Sequence, residues 1–96
     1  MHSPEWFEKR DIDKFLAEQN IFSFAPATGG FGKSGIPDRV GCYRGAFFSV
    51  EVKREDKEPT ALLWKRMGEI EAAGGKAFWG TAAKVIPELK ARLASL

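Results

Sequence analysis

The chain has 96 residues, 44% of them hydrophobic, and a formal net charge of +2. This length allows one hydrophobic core, and the composition excludes a disordered protein. The single cysteine, Cys42, excludes an internal disulfide and a cysteine-rich zinc site. No apolar run approaches the roughly 20 residues that span a bilayer, and no secretory signal is visible. We therefore expect one domain over residues 1–96, located in a reducing cytoplasm.

The N-terminal segment predicts a helix from about residue 4 to residue 19. Ser3-Pro4-Glu5 is typical of a helix start, with an N-cap serine, a proline at the first helical position and an acid in the first turn. A buried stripe follows at helical spacing: Ile12, Phe15 and Leu16. Glu5 precedes Ile12 by two helical turns, and Glu8 precedes Phe15 in the same way. Both acids are therefore predicted to lie along this stripe.

The next segments predict strands around a glycine-rich loop. Residues 21–25 form a short strand, residues 26–36 a loop, and residues 38–43 and 46–53 a hairpin that turns at Arg44-Gly45. The apolar character of these strands predicts a buried position for Cys42 and for the phenylalanines Phe22, Phe24, Phe47, Phe48 and Phe78.

The second half predicts a helix, a strand and a further helix. Thr60 caps a helix that ends near Ala73, before Gly74-Gly75, and its buried face carries Leu63, Met67 and Ile70. Residues 76–80 form a strand. Residues 82–96 form the last helix, which Pro87 either starts or kinks. The chain is therefore an α/β protein with the order α-β-β-β-α-β-α.

Charged residues inside this pattern indicate the chemistry. Asp38 ends the segment Gly35-Ile36-Pro37-Asp38, and Glu51-Val52-Lys53 follows thirteen residues later within an apolar strand. Alternate side chains of a strand share a face, so Glu51 and Lys53 project together, away from Phe48, Val50 and Val52. Charged groups buried in a strand are costly unless they are paired or bind a metal ion.

These residue types suit a magnesium site that cuts phosphodiester bonds. Asp38, Glu51 and the backbone carbonyl of Val52 are hard oxygen ligands. Lys53 would then orient the attacking water or stabilise the transition state. The alternative is structural: Asp38 ends a loop, and Glu51 pairs with Lys53 or an arginine on an exposed strand.

The loop and its basic neighbours suggest contact with nucleic acid. Gly32-Lys33-Ser34 matches part of a nucleotide-binding loop, but the first glycine of that motif would fall at Ala27, and Pro37 prevents the helix it requires. We favour a loop whose amides, with Lys33 and Ser34, contact DNA phosphates; a plain connection remains the alternative. Arg39 either contacts DNA or pairs with an acid. A wider basic region borders the site: Lys53, Arg54, Lys57, Lys65 and Arg66.

The remaining aromatic and titratable residues carry weaker signals. Trp64 could stack on a base, yet Trp6, Trp64 and Trp79 are predicted to be core or interface residues. His2 is the only histidine and lies at the terminus, so we discount it as a general base.

Taken in order, five segments resemble the VRR-NUC domain of the PD-(D/E)XK nuclease superfamily, and most resemble its small stand-alone phage and bacterial versions. The segments are Ser3-Pro4-Glu5, Gly32-Lys33-Ser34-Gly35-Ile36-Pro37-Asp38, Val50-Glu51-Val52-Lys53, Pro59-Thr60-Ala61-Leu62 and Ala72-Ala73-Gly74-Gly75. The resemblance implies a restriction-endonuclease-like core, with a central mixed sheet flanked by helices. It also implies a homodimer in the cytoplasm of a bacterium or a phage-infected cell.

The resemblance also implies an activity, namely hydrolysis of DNA ester bonds by a Mg²⁺- or Mn²⁺-dependent endonuclease. Members of this type cut branched DNA such as Holliday junctions, and the superfamily leaves 5′-phosphate and 3′-hydroxyl ends. The catalytic and metal-binding positions fall on Glu5, Asp38, Glu51 and Lys53, with Glu8 in place of Glu5 if the first helix aligns differently with the family.

One departure leaves other functions open. The family usually carries Gln where this chain has Leu63. A glutamine can hold a water or a metal-bound ligand, whereas leucine cannot. We expect activity to survive, since the metal ligands remain. The alternatives are a non-catalytic module that binds branched DNA and a nuclease that acts on flaps or linear duplexes.

Overall fold

The computed structural model describes residues 1–27 and 32–96. Its elements, in chain order, are α1 (Pro4–Glu18), β1 (Phe22–Phe24), β2 (Arg39–Tyr43), β3 (Ala46–Val52), α2 (Ala61–Ala72), β4 (Lys76–Gly80) and α3 (Ala82–Ala94). The predicted order is confirmed. Gly29 and Gly30 of the predicted phosphate-contacting loop lie outside the described residues. In the described part of the chain, no helix is long and apolar enough to cross a membrane.

The four strands form one mixed sheet in the order β1-β2-β3-β4. β2 pairs antiparallel with β1 and with β3, while β4 runs parallel to β3. Arg44 and Gly45 join β2 to β3 with φ angles of 50° and 82°. Positive φ at both central positions is typical of the tight turn that matches the twist of a two-residue hairpin.

The core lies between one face of the sheet and the pair of helices α1 and α3. Phe48, Val50 and Val52 project from β3 into this layer, as alternation along the strand predicts. The buried helical positions opposite them are Ile12, Phe15, Leu16, Ala82, Val85 and Leu89. α2 packs on the other face against β3 and β4. The odd-numbered residues of β3, including Glu51, therefore face the α2 side.

The helix boundaries follow their caps. Ser3, Thr60 and Thr81 each accept a hydrogen bond from a backbone N–H of the first turn of α1, α2 and α3. Pro87 lies inside α3 and does not start it, because Thr81 already caps the helix at Ala82.

The predicted burial of several strand residues is wrong. Phe22 and Phe24 are 69% and 52% exposed, and Phe47 and Cys42 are exposed as well. Phe22, Cys42 and Phe47 face one another across β1, β2 and β3, so their side chains share the α2 side of the sheet. Because α2 packs over β3 and β4, no helix or strand within residues 1–27 and 32–96 covers this half of the face.

Two of the three tryptophans that are predicted as core or interface residues do not lie in the core. Trp6 on α1 is 39% exposed, and Trp64 on α2 is 44% exposed. Trp64 contacts Trp79 edge to face, with ring centroids 5.5 Å apart. An apolar side chain at the border of a helical stripe can lie in either environment, and the sequence pattern does not distinguish them.

Candidate functional site

Asp38 and Glu51 lie side by side, where β3 ends and β2 begins. The Asp38 N–H donates to Glu51 Oε1 at 3.1 Å, and the Val52 N–H donates to Asp38 Oδ2 at 2.8 Å. Each carboxylate thus has one oxygen fixed by a backbone amide. The β2–β3 hairpin therefore spans the thirteen-residue spacing from Asp38 to Glu51 and brings Glu51 back beside Asp38.

The second oxygen of each carboxylate faces an ammonium group. Lys53 Nζ lies 3.3 Å from Glu51 Oε2, and Lys9 Nζ lies 3.6 Å from Asp38 Oδ1. Lys53 shares its face of β3 with Glu51, as strand alternation predicts. Lys9 comes from α1, and no feature of the sequence singled it out.

Burial and charge give Glu51 unusual acid–base properties. The residue is 6% exposed. Burial is the largest cause that raises its pKa to about 7, the nearby charge of Asp38 is the second, and the Lys53 ammonium opposes both. The two carboxylates lie close together and one of them resists ionisation. A bound cation would therefore stabilise the charged form of the pair.

The backbone at Val52 offers a further oxygen. The β2–β3 register, in which Arg39 faces Val50, places Pro37 opposite Val52 when it is continued by two residues. The Val52 N–H points towards Asp38, so its carbonyl points to the same side. Proline has no N–H to donate, so Pro37 cannot bond that carbonyl.

This donor set fits a hard divalent cation. Asp38 and Glu51 supply carboxylates, and Val52 supplies a carbonyl; Mg²⁺ accepts such oxygens and keeps several waters. Within residues 1–27 and 32–96, no three His, Cys, Asp or Glu side chains gather around one point. The two carboxylates are therefore a pair, and Glu5 does not complete a triad with them.

Glu5 nevertheless lies in the row of α1 that faces the site. It is half-buried and precedes Lys9 by four residues, one turn along the same helical face. Glu8 has a different task, since its Oε1 accepts the Ala82 N–H at 2.7 Å at the start of α3. That contact places Glu8 at the start of α3, whereas the Glu5 carboxylate accepts no hydrogen bond within the described residues.

Arg39 pairs with an acid, one of its two predicted roles. Its Nε and Nη2 atoms donate to the two carboxylate oxygens of Asp13 at 2.8 and 2.9 Å, and Nη1 donates to the Asp38 carbonyl at 2.8 Å. Hydrogen bonding to Asp13 raises the pKa of the guanidinium further, so it stays charged. Arg39 thus ties α1 to the residue that carries the carboxylate, and its contact with DNA stays a prediction.

The loop before Asp38 is fixed against α2. Arg66 Nε donates to the Ser34 carbonyl at 2.8 Å. Gly35 has a φ of 72°, and a Cβ there would lie 2.5 Å from Leu62 Cγ, so glycine is required by both conformation and space. The side chains of Lys33 and Ser34 are exposed, which leaves them free for their predicted phosphate contacts.

The position where the family usually carries Gln is buried. Leu63 is 8% exposed and faces inward with Met67, as predicted. On the sheet face that α2 covers, Ser49 lies two residues before Glu51, and its buried Oγ makes no hydrogen bond within the described residues. Leucine offers no polar group to this part of the site.

The predicted basic region is partly neutralised. Arg54 pairs with Asp56, and Arg66 pairs with Glu69, each with an N–O distance of 2.9 Å. Lys57 and Lys65 are exposed. The positive charge nearest the carboxylates therefore comes from Lys9 and Lys53.

Comparison with known proteins identifies the fold. A solved structure of a VRR_NUC domain superposes with a TM-score of 0.64 at 21% sequence identity, covering 91% of this chain and 95% of that one. No protein-family model and no curated protein matches the sequence. The chain therefore has the fold of a VRR_NUC domain, and the restriction-endonuclease-like α/β core expected from the resemblance is confirmed.

Proposed function

We propose that this protein is a divalent-metal-dependent DNA endonuclease. The observation that carries the proposal is the pair Asp38 and Glu51, held together by backbone amides with Lys53 on the same face. The likeness to a VRR_NUC domain supports a nuclease, since that name describes a nuclease fold. A buried carboxylate and a half-buried one beside a lysine suit hydrolysis of a phosphodiester better than a structural role.

Each polar group of the site has its own role in the proposed reaction. Asp38, Glu51 and the Val52 carbonyl would hold Mg²⁺ or Mn²⁺, and Glu5, one helical turn before Lys9, would contribute through a bound water. When bound, such a cation lowers the pKa of its water and neutralises charge on the phosphate. Lys53 donates to the attacking water or to a phosphate oxygen. The water oxygen bonds to phosphorus and releases a proton to solvent, the P–O3′ bond breaks with its electron pair on O3′, and O3′ takes up a proton from water. The products then carry 5′-phosphate and 3′-hydroxyl ends.

The surface around the site supports DNA as the substrate. Lys33 and Ser34 precede Asp38 on a loop fixed against α2, with exposed side chains. Arg39 and the basic residues Lys57 and Lys65 are further candidates for phosphate contacts. We favour branched DNA such as a Holliday junction, with flap and linear duplex DNA as the alternatives.

A homodimer suits this substrate. A protomer of 96 residues has little surface with which to hold a junction, and two sites related by a twofold axis can cut two strands symmetrically. The open half of the sheet, with Phe22, Phe24 and Phe47 exposed, is an apolar surface of the kind that a second copy covers.

The test is cleavage of a labelled four-way junction beside flap, linear duplex and single-stranded DNA in Mg²⁺, Mn²⁺ or EDTA. We expect paired nicks across the junction, no cutting in EDTA, and a loss of at least about 100-fold in Lys53→Ala. Asp38→Asn should lose activity similarly, while its Oδ1 still accepts the Val52 N–H. Lys76→Ala, an exposed lysine at the far end of β4, is the control. Full activity in both site variants would refute the assignment.

A second function is favoured by Leu63. A DNA-binding module without catalysis would bind junctions in either metal and cut none of the substrates. Leu63→Gln tests this directly, because it introduces an amide on the buried face of α2. Cutting that appears only in Leu63→Gln would identify the natural protein as the binding module.

A further inference from the structure

We propose that Trp6 is a stacking platform for an unpaired nucleobase next to the scissile phosphate. The proposal rests on the proposed DNA-binding function. It assigns to α1 a role that no sequence feature indicated: Trp6 is predicted as a core or interface residue, and the structure places it at the surface, 39% exposed.

The first argument is the position of Trp6 on the helix. Glu5, Lys9 and Asp13 follow one another every four residues along α1. Lys9 contacts Asp38 and Asp13 contacts Arg39, so this row runs along the site. Trp6 and its neighbour Arg10 form the adjacent row, one step further from the core. Neighbours three or four residues apart on a helix lie ~5–6 Å apart, so Trp6 lies next to Lys9, whose ammonium contacts Asp38.

The second argument is that the indole already stacks with a planar ring. The His2 imidazole lies over Trp6 with ring centroids 3.6 Å apart and planes inclined by 7°. His2 precedes the helix and is exposed, so its ring can leave. A nucleobase that takes its place would meet the same flat face, and base–aromatic stacking is independent of sequence.

The third argument is charge. The Arg10 guanidinium lies 5.6 Å from the Trp6 ring centroid and 5.1 Å from that of Phe7. It also bonds the Asp11 carboxylate at 3.1 Å, which holds the side chain along the helix. Arg10 therefore places a cation against the indole, and Lys9 lies in the next turn of the same helix, so a phosphate next to a stacked base would meet positive charge.

The occupant is an unpaired base because of how duplex DNA is built. In a continuous duplex both faces of each base already stack on neighbours, so no face is left for Trp6. A junction centre, a bulge or a flap exposes such a face. The platform would therefore make the enzyme prefer DNA that is unstacked at the cut.

The experiment combines a change in the protein with a change in the DNA. Binding is measured by fluorescence anisotropy in EDTA, in a Lys53→Ala background that does not cut. Three probes are compared: a duplex with a one-base bulge, the same duplex with an abasic nucleotide at the bulge, and a continuous duplex. Trp6→Leu keeps apolar volume but loses the ring, and Trp6→Phe keeps a ring.

We expect Trp6→Leu to weaken binding of the base-containing bulge about tenfold, and Trp6→Phe to weaken it less. Neither variant should change binding of the abasic bulge or the continuous duplex. A loss that is equal on all three probes, or no loss on any, would overturn the proposal. Circular dichroism checks the fold, and Trp6→Gln repeats the test if the leucine variant aggregates.

Three further outcomes separate this proposal from others. If Trp6→Leu changes the sedimentation coefficient, the indole contacts a second copy and the platform is wrong. If the wild type cuts no DNA but the coupling between Trp6 and the bulged base is found, the nuclease proposal fails and the platform stands. If the wild type cuts and no coupling is found, the platform alone fails.

Discussion

Glu51 shows how one buried residue depends on its surroundings. Its position in an apolar strand could be read from the sequence, but its acidity could not. Burial on the sheet face that α2 covers, together with the nearby charge of Asp38, raises the pKa of Glu51 to about 7. The hairpin register brings the two carboxylates together, and only folding supplies that proximity.

This shift predicts a pH-dependent cost to stability. The folded pKa lies above the unfolded value near 4.5, so between pH 4.5 and about 7 the folded state holds a proton that the unfolded state has released. Stability therefore falls as the pH rises through this window. Glu51→Gln removes this pH dependence. The Tm of Glu51→Gln minus that of the wild type should therefore be roughly 5 °C larger at pH 8 than at pH 5, the shift that ~1 kcal/mol produces in a domain of this size.

The measurement is thermal unfolding in EDTA at both pH values. Glu69→Gln is the control, because Arg66 lowers the pKa of that exposed acid and its removal cannot produce the same gain. An unchanged difference between wild type and Glu51→Gln at the two pH values would contradict the prediction.

Gly35 gives a second prediction at this scale. Gly35→Ala must adopt a positive φ and displace Leu62, whereas Gly45→Ala meets the φ requirement alone, with nothing within 4 Å of its Cβ. We expect Gly45→Ala to cost ~1 kcal/mol and Gly35→Ala clearly more, measured by urea unfolding. Equal losses would mean that Leu62 moves aside without cost.

At the scale of elements, α1 is joined to the sheet on its polar side by Arg39. The pattern of α1 predicted its buried face but not its charged row, because charges at a four-residue spacing occur on any solvated helix. Residues of and beside the sheet pair with this row: Asp13 forms an ion pair with Arg39, and Lys9 forms one with Asp38. The link fixes the helix relative to the carboxylates.

A double-mutant cycle tests this link. Arg39→Lys loses the bidentate geometry and should reduce kcat with little change in DNA affinity. Combined with Asp13→Asn, it should show a coupling of about 1 kcal/mol in unfolding free energy, since Asp13 is partly exposed. If Arg39→Lys instead weakens DNA binding equally in both backgrounds, Arg39 contacts DNA and the link is secondary.

At the scale of the whole molecule, the uncovered half of the sheet is the main departure from the predicted core. β1 is an edge strand, and Phe22 and Phe24 both point to the open side, with ring centroids 5.9 Å apart. α2 covers β3 and β4, where the parallel crossover places it. A second protomer is the partner that we expect on this surface.

The proposed dimer can be tested by its molecular mass in solution. Phe22→Ser with Phe24→Ser should convert a dimer into a monomer at micromolar concentration in sedimentation equilibrium, and should reduce paired nicking more than single nicking. Trp64→Ser, similarly exposed on α2, should keep the wild-type mass. A wild type that is monomeric while it cuts junctions would remove the dimer from the mechanism.

The sequence by itself determined the seven elements, their order and the grouping of Glu51 with Lys53. Caps, turn residues and alternation act over a few residues, so a local pattern is enough to predict them. The tertiary structure decided which half of the sheet α2 covers, and hence the exposure of Phe22, Cys42 and Phe47. It also decided that Lys9 faces Asp38 and that Glu8 accepts the Ala82 N–H at the start of α3. These contacts join residues far apart in the chain, and their geometry depends on how helices pack across a twisted sheet.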